Sequence, residues 1–343
     1  MSIVKAYAQR ALKRSLSALI LVGLCIFFLW LNLISGSKGV MVSDTLNLFT
    51  CNEQFGMIIE SIRLPRALGA LLVGMLLGLS GVAMQGVLRN PLASPFTLGI
   101  SQAAGFGASL AIIMIEPEMV LHPFLSKFSV ALSAFGASMV CVVLIIWIGK
   151  KVGMSPTSLI LAGVGLGSLF HSGTMFLQYF TTEINAAATL FWTFGDLSRA
   201  TYPILGLLFA TFCVSLCLLW ASHWKFDALG FGDESAFNKG VNVKTFRILI
   251  LLFASFCAAM AVAFFGIIGF IGLVAPHIVR LAVGSSHSAL IPLSALSGGV
   301  LLLGADWCAR MMLYPSILPV GILTSFIGAP MLLYLLVFGG RLR

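Results

Sequence analysis

The chain has 343 residues; 59% are hydrophobic, only 9% are charged, and the formal net charge is +9. An ordinary soluble domain is about 45–50% apolar and about 25% charged, so this composition excludes a soluble enzyme, a disordered chain and a disulfide-stapled secreted scaffold. A mean hydropathy of +1.07 agrees with an integral membrane protein.

The apolar residues fall into ten stretches: 15–34, 67–87, 98–115, 128–148, 156–178, 203–222, 246–265, 266–283, 289–305 and 318–338. Each approaches the roughly 20 residues that a bilayer-spanning helix needs. The expected fold is all-α and polytopic, one transmembrane domain over 1–343, with connections too short for a separate folded unit. A β-barrel is excluded, because its strands are about ten residues long and alternate strictly. The first stretch follows a basic tail, 1–14, yet lacks a small-x-small cleavage signature and reads as a retained anchor.

Ten spans place both termini on one side. Lys5, Arg10, Lys13 and Arg14 put that side in the cytoplasm. Arg89, Lys150, Lys151, Lys225, Lys239, Lys244, Arg247, Arg280, Arg341 and Arg343 then also fall inside. Outside stand Lys38, Arg63, Arg66, Lys127, Arg199 and Arg310, with most of the acids: Asp44, Glu53, Glu60, Glu116, Glu118, Glu183, Asp196 and Asp306. The basic excess is therefore a topology signal and gives no reason to expect nucleic-acid binding.

In the second span, Gly74 and Gly78 form a small-xxx-small face suited to close helix approach. In the fifth, Gly163-Val-Gly165-Leu-Gly167 lacks the third glycine of a nucleotide loop and reads as a packing face. Residues 186–197, between the fifth and sixth spans, are apolar enough for a short re-entrant or surface helix. A faint repeat links 63–95 with 244–276: a shift of 181 sets Arg66 on Arg247, Leu92 on Leu273 and Pro95 on Pro276. One of these spans runs inward and the other outward, so helices 2–5 and 7–10 would form an inverted repeat.

Catalytic motifs are missing. The sequence has no GxxxxGK[ST], GxSxG, HExxH or CxxC, and His122, His171, His223, His277 and His287 are scattered. His277 reads as a hydrogen-bonded structural residue, and the cysteines of the spans as small buried apolar groups. No Asp or Glu lies in the middle of a span, whereas ion-coupled carriers usually bury one. Neither an enzyme, nor a resident cofactor or metal, nor a secondary carrier is expected.

Two charged surfaces call for partners. Outside, Arg63 and Arg66 open the second span, against both the positive-inside rule and the helix dipole, and Arg310 follows the ninth. They either pair within the chain, Glu60 with Arg63 and Asp306 with Arg310 at helical spacing, or form a basic rim for carboxylates of a docking protein. Inside, within the connection 223–245, Gly232 before Asp233 and Glu234 marks a helix start, and Lys239 with Gly240 marks its stop. So short a helix cannot persist alone and must pack on something.

These blocks carry a recognisable pattern. Arg63-Leu-Pro-Arg66, Gly81-Val-Ala-Met-Gln85-Gly-Val-Leu-Arg89-Asn90-Pro91, Leu161-Ala-Gly-Val-Gly165, Gly232-Asp-Glu234 with Gly240-Val-Asn242, Gly269-Phe-Ile-Gly272 through Pro276-His277 to Arg280, and Leu318-Pro319-Val-Gly321 resemble the FecCD family of bacterial ABC-importer permeases. The resemblance implies a multi-pass inner-membrane subunit that pairs with an identical or homologous second permease and two cytoplasmic ATP-binding subunits. A periplasmic or lipid-tethered binding protein would deliver an iron-siderophore complex, or alternatively haem or cobalamin. It further implies that Arg63, Arg66 and Arg310 meet the binding protein, and that Asp233, Glu234, Lys239 and Gly240 belong to the element that couples to the ATPase. Ser155 and Thr157 fall at the cytoplasmic gate, where Pro156 stands in place of an expected small hydroxyl residue.

Overall fold

The computed structural model of the chain describes residues 3–35, 57–114, 123–313 and 316–338. Lys38, Asp44, Cys51, Glu53, Glu116, Glu118, His122, Arg341 and Arg343 lie outside the described residues, as do the side chains of Lys5, Arg10 and Lys127. Every described regular element is helical: α1 (Ile3–Ile34), α2 (Leu64–Leu88), α3 (Ile100–Met114), α4 (Pro123–Lys151), α5 (Pro156–Tyr179), α6 (Glu183–Thr193), α7 (Tyr202–Ala221), α8 (His223–Gly230), α9 (Asp233–Asn238), α10 (Val243–Phe265), α11 (Ile271–Val283), α12 (His287–Met311) and α13 (Val320–Phe338). A π-helical turn, Ile59–Arg63, leads into α2.

Each of the ten predicted spans coincides with a helix, namely α1–α5, α7 and α10–α13. Among the described residues, seven helical segments are long and apolar enough to cross a membrane, and α3, α11 and the start of α13 are shorter apolar helices. The remaining helices, α6, α8 and α9, lie in the connections. Helix α6 occupies the place expected for a short helix between the fifth and sixth spans. Helix α8 was not foreseen.

Helix α2 is the centre of the bundle, buried along most of its length. Its glycines explain how. A Cβ on Gly74 would lie 2.3 Å from the Gly298 carbonyl oxygen, one on Gly78 2.3 Å from that of Ser294, and one on Gly81 1.7 Å from that of Gly272. Helices α12 and α11 therefore touch α2 backbone to backbone. Apolar burial gives helices little reason to associate in lipid, so such close van der Waals packing drives association. Gly163 and Gly167 of α5 pack in the same way, on Leu98 and Gly99, while Gly165 faces open space.

Helices α2 and α10 run antiparallel, since Arg247 at the start of α10 bonds to Val87 at the end of α2 and Phe265 meets Gly69 near the start. The paired arginines of the sequence repeat, Arg66 and Arg247, thus stand at opposite ends of the bundle. One end carries α8, α9 and the beginnings of α5 and α10 and is here called the α9 end. The other carries Arg63, Arg66 and Arg310.

The eighth span departs from expectation. In place of a helix over 266–283, the chain leaves α10 at Gly266 (φ 78°), runs without helix through 267–270 and starts α11 only at Ile271. Exposed backbone of this kind is tolerated at membrane depth only where protein or a water-filled cavity surrounds it. Protein packs tightly on one side of the break. A Cβ at Gly266 would meet the Trp192 carbonyl oxygen at 2.3 Å, and Gly321 lies as tightly against the Phe194 carbonyl. On its other side the break lines a cavity of about 880 Å³, shared with α3, α5, α6 and α13.

Gly81→Leu is expected to destabilise the bundle by about 3 kcal/mol, the upper range for overpacking against immovable atoms, whereas Gly165→Leu is expected to be near neutral. Unfolding of the two purified variants in a denaturing-detergent titration checks this contrast.

Candidate functional site

At the far end, the three predicted arginines come together around one carboxylate. Arg66 grips Asp306 with Nε at 3.0 Å and Nη2 at 2.8 Å. Arg310, one turn on from Asp306 along α12, approaches it at 3.3 Å. Asp306 is 0% exposed. The foreseen pairing of Asp306 with Arg310 is present, while the stronger partner, Arg66, comes from a helix 240 residues away.

The C-terminus of α1 completes the cluster. Arg63 donates to the Leu33 and Ile34 carbonyls at 2.7 and 3.3 Å. Arg310 donates to the carbonyls of Asn32 and Ser35 and to the Asn32 side chain. Cations at a helix C-terminus satisfy orphan carbonyls and the negative end of the dipole, which explains how arginine is stable here. Three guanidinium groups thus gather near one buried carboxylate and the carbonyls that end α1. Arg66 is buried, whereas Arg63 and Arg310 are both partly exposed.

At the opposite end, α9 forms where acids and glycine marked it. Gly232 (φ 112°) precedes it and Gly240 (φ 83°) follows. Its end is a Schellman motif: the Val241 N–H bonds to the Ala236 carbonyl at 3.0 Å and the Gly240 N–H to that of Phe237 at 2.8 Å, with Ala236 and Val241 both buried. Asp233 accepts from Arg247 Nη2 at 3.1 Å and lies 3.9 Å from Arg89. Glu234 and Lys239 are exposed, and the Lys239 ammonium lies over the Phe231 ring at 4.8 Å. Phe231 and Phe237 are 76% and 70% exposed, large apolar groups on a charged loop.

The predicted gate residues open α5. The Ser155 hydroxyl caps the helix, accepting from the Ser158 N–H at 3.1 Å, and Pro156 takes the first helical position, where its missing N–H costs nothing. Thr157 is exposed and lines a hollow of about 510 Å³ with Leu88, Arg89, Asn90, Pro156 and Ile160.

Sequence reasoning missed two features. One is Arg247, 2% exposed, whose guanidinium reaches three separate segments. The other is a clasp between α8 and α12: the His287 backbone N–H and ring Nδ1 both meet Asp227 Oδ1, at 2.9 and 2.7 Å. The spacing of a charged residue from a distant partner leaves no mark in a single sequence. His277, expected to be hydrogen-bonded, has a buried Nε2 without a partner among the described residues.

Burial pushes the Asp227 carboxyl up, but the bonds from His287 and the charges of His287 and His223 outweigh it and hold the group below the usual carboxylate range. A carboxyl lowered on folding contributes stability that is fully present above its unfolded value of about 4 and is lost as pH falls through the lower native value. Asp227→Asn is therefore expected to lower stability at pH 7 by about 1 kcal/mol, a charge-assisted bond discounted for partial exposure. That difference should close below about pH 4. Melting curves of the purified wild type and variant across pH measure it.

Between the two ends lies the 880 Å³ cavity. Its polar lining includes Gln102, Ser168, His171, Thr174, Gln178 and Ser325, with no carboxylate among the described lining residues. Glycine and apolar groups thus frame a cavity that lies between a basic cluster at one end and a capped, exposed helix at the other.

Comparison with known proteins agrees. The model of the FecCD transport family matches residues 24–338. An ABC transporter permease protein of Methanocaldococcus jannaschii, itself provisionally assigned, is 45% identical over 83% of this chain and 82% of its own. The Fe(3+)-citrate import system permease protein of Bacillus subtilis is 37% identical over 97% of this chain and 98% of its own. Further relatives are named as hemin and vitamin B12 import permeases. A solved structure, described as an inward-facing conformation of a provisionally assigned metal-chelate type ABC transporter, superposes with a TM-score of 0.80 at 30% identity and covers 93% of this chain and 98% of that one. The chain belongs to the FecCD transport family and is a multi-pass permease of an ABC importer.

Proposed function

We propose that this permease imports an iron chelate of the siderophore class, handed over by a separate binding protein and driven by ATP hydrolysis in separate subunits. The observation that carries the reading is α9, tied inward through Asp233 to buried Arg247 and presenting Phe231 and Phe237 outward. Exposed aromatic side chains on a capped, charged loop suit a groove on a soluble partner, where large apolar anchors contribute most of the affinity. The chain has no phosphate-binding loop of its own, so the partner in this reading is an ATP-binding subunit, present twice.

The α9 end faces the cytoplasm in this reading, because Lys13, Arg14, Lys225, Lys239 and Lys244 collect there, and with it lie both termini at the bacterial inner membrane. The far end then meets the loaded binding protein. Arg63 and Arg310 are the partly exposed contacts, and Arg66 stands behind them as fixed positive charge that steers acidic surfaces into register. ATP closure moves α9, the start of α5 shifts, and Ser155 and Thr157 open or close the inner hollow. A second permease, identical or homologous, completes the path: Leu161, Leu169 and Tyr179 of α5 and Phe326 of α13 leave a broad apolar face uncovered beside the cavity. The iron-citrate relative, aligned over nearly the full length of both chains, favours an iron chelate over haem or cobalamin.

The test is uptake into liposomes that hold the permease, its co-purifying ATP-binding subunits and the binding protein, using iron-55 ferric citrate and ferric siderophores, hemin and cyanocobalamin as cargo. Iron uptake that needs ATP and ignores a protonophore is the expected result. Transport of hemin or cobalamin alone refutes the chelate assignment, and uptake that survives ATP depletion but collapses with an ionophore refutes the importer mechanism.

Arg63→Glu is expected to lower uptake at least roughly tenfold at low salt through loss of electrostatic steering, with assembly intact. Arg66→Glu sets a second carboxylate beside buried Asp306 and is expected to lower the folded yield itself. Wild-type uptake by the Arg63 variant would remove docking from the role of this cluster.

A further inference from the structure

Arg247 is the most fully engaged buried charge at the α9 end. Its guanidinium contacts three segments at once: Nη2 meets the Asp233 carboxylate of α9 at 3.1 and 3.2 Å, Nη1 donates to the Met154 carbonyl at 2.8 Å, and Nε donates to the Val87 carbonyl at 3.3 Å. These partners differ in kind. Asp233 opens the exposed helix α9. Val87 belongs to the last turn of the immobile central helix α2. Met154 sits in the tight turn between α4 and α5, immediately before the capping Ser155.

The turn at Met154 is built to pass on displacement. Gly153 and Met154 both have positive φ, 91° and 57°, Met154 is 3% exposed, and its N–H is bonded back to the Gly149 carbonyl at 2.7 Å. A non-glycine residue held in the left-handed region stores strain and persists only where its surroundings impose it. The Arg247 bond to the Met154 carbonyl is one such constraint. From there Ser155, Pro156 and Thr157 follow without a flexible link, because the Ser155 cap and the proline fix the entry into α5. Helix α9, in contrast, is bounded by Gly232 and Gly240 and meets the core through buried Ala236 and the Asp233–Arg247 contact.

We infer that Arg247 is a positioning residue that transmits movement of α9 to the first turn of α5, with the end of α2 as its fulcrum. This rests on the proposal that α9 seats an ATP-binding subunit. Only a planar fork of five donors reaches a carboxylate and two carbonyls in different directions; the compact ammonium of lysine keeps the charge but not the simultaneous contacts.

The test uses the full complex in liposomes with exposed Cys217 replaced by serine, and an environment-sensitive fluorophore on either Asn238→Cys, in α9, or Thr157→Cys, at the start of α5. Trapping with ATP and vanadate should shift both probes in the otherwise wild-type permease. With Arg247→Lys, the α9 probe should keep its shift while the α5 probe loses it roughly tenfold, the loss expected when a charge-assisted bond goes. Two intact shifts in that variant overturn the inference. So does joint loss of both, which would mean that Arg247 only holds α9 in place, and so does a wild type whose α5 probe never responds. If Arg247→Lys does not assemble, Asp233→Asn cuts the same link at its half-exposed end and should give the same split response. A wild-type permease that recruits no ATP-binding subunit would instead defeat the functional proposal, a result read at purification before any probe is attached.

Discussion

The structure depends on the backbone contact between α2 and its neighbours α11 and α12. In lipid, burying leucine against leucine gains little over burying it in acyl chains, so helices hold together where their backbones approach closely. Gly74, Gly78 and Gly81 make one flank of α2 flat, and Gly298, Ser294 and Gly272 receive it. With α2 fixed in this way, its two ends become reference points. The far end presents Arg66 to Asp306, and the opposite end presents the Val87 carbonyl to Arg247.

Those two arginines show how one chemical device serves two purposes. Each is buried, each is held by a carboxylate, and each stands near the start of a helix of the antiparallel α2–α10 pair. Yet Arg66 meets an aspartate that is wholly buried, on a helix packed immovably against α2, whereas Arg247 meets an aspartate that is 43% exposed on a short helix between two glycines. Breaking either pair strands a charge in poor solvent, which is strongly unfavourable. The first arrangement is therefore a lock. The second couples a rigid core to an element that can move.

Much of this was legible in the sequence because it is local. The ten apolar stretches, the small-xxx-small face of Gly74 and Gly78, and the start and stop of α9 all follow from periodicity and end signals within a few residues. The pairing of Asp306 with Arg310 was legible for the same reason. What escaped is long-range: Arg66 with Asp306, Arg247 with Met154, and Asp227 with His287 join residues that only the packed bundle brings together. The break at 266–270 escaped for a different reason. Its residues are as apolar as a helix, and only the carbonyls of Trp192 and Phe194, with the open cavity beyond, explain why the backbone leaves the helical path there. The arginine cluster was legible as a group of charges. The burial of Arg66 was not, and it separates that residue from the partly exposed Arg63 and Arg310.

The cavity presents little fixed charge to whatever passes it. Its lining joins glycine and apolar side chains to neutral hydroxyls and amides, with His171 as its one ionisable group among the described residues. Such groups give no fixed charge for a chelate to bind against, so passage is not slowed by a deep electrostatic well. In the proposed reading, discrimination among chelates lies in the binding protein, docked at the far end beside the arginine cluster. In the same reading the permease contributes the path and its timing, and timing needs a stiff connection between α9 and the helix that borders the cavity. Among the described side chains, Arg247 is the one that bonds to both α9 and the turn that opens α5.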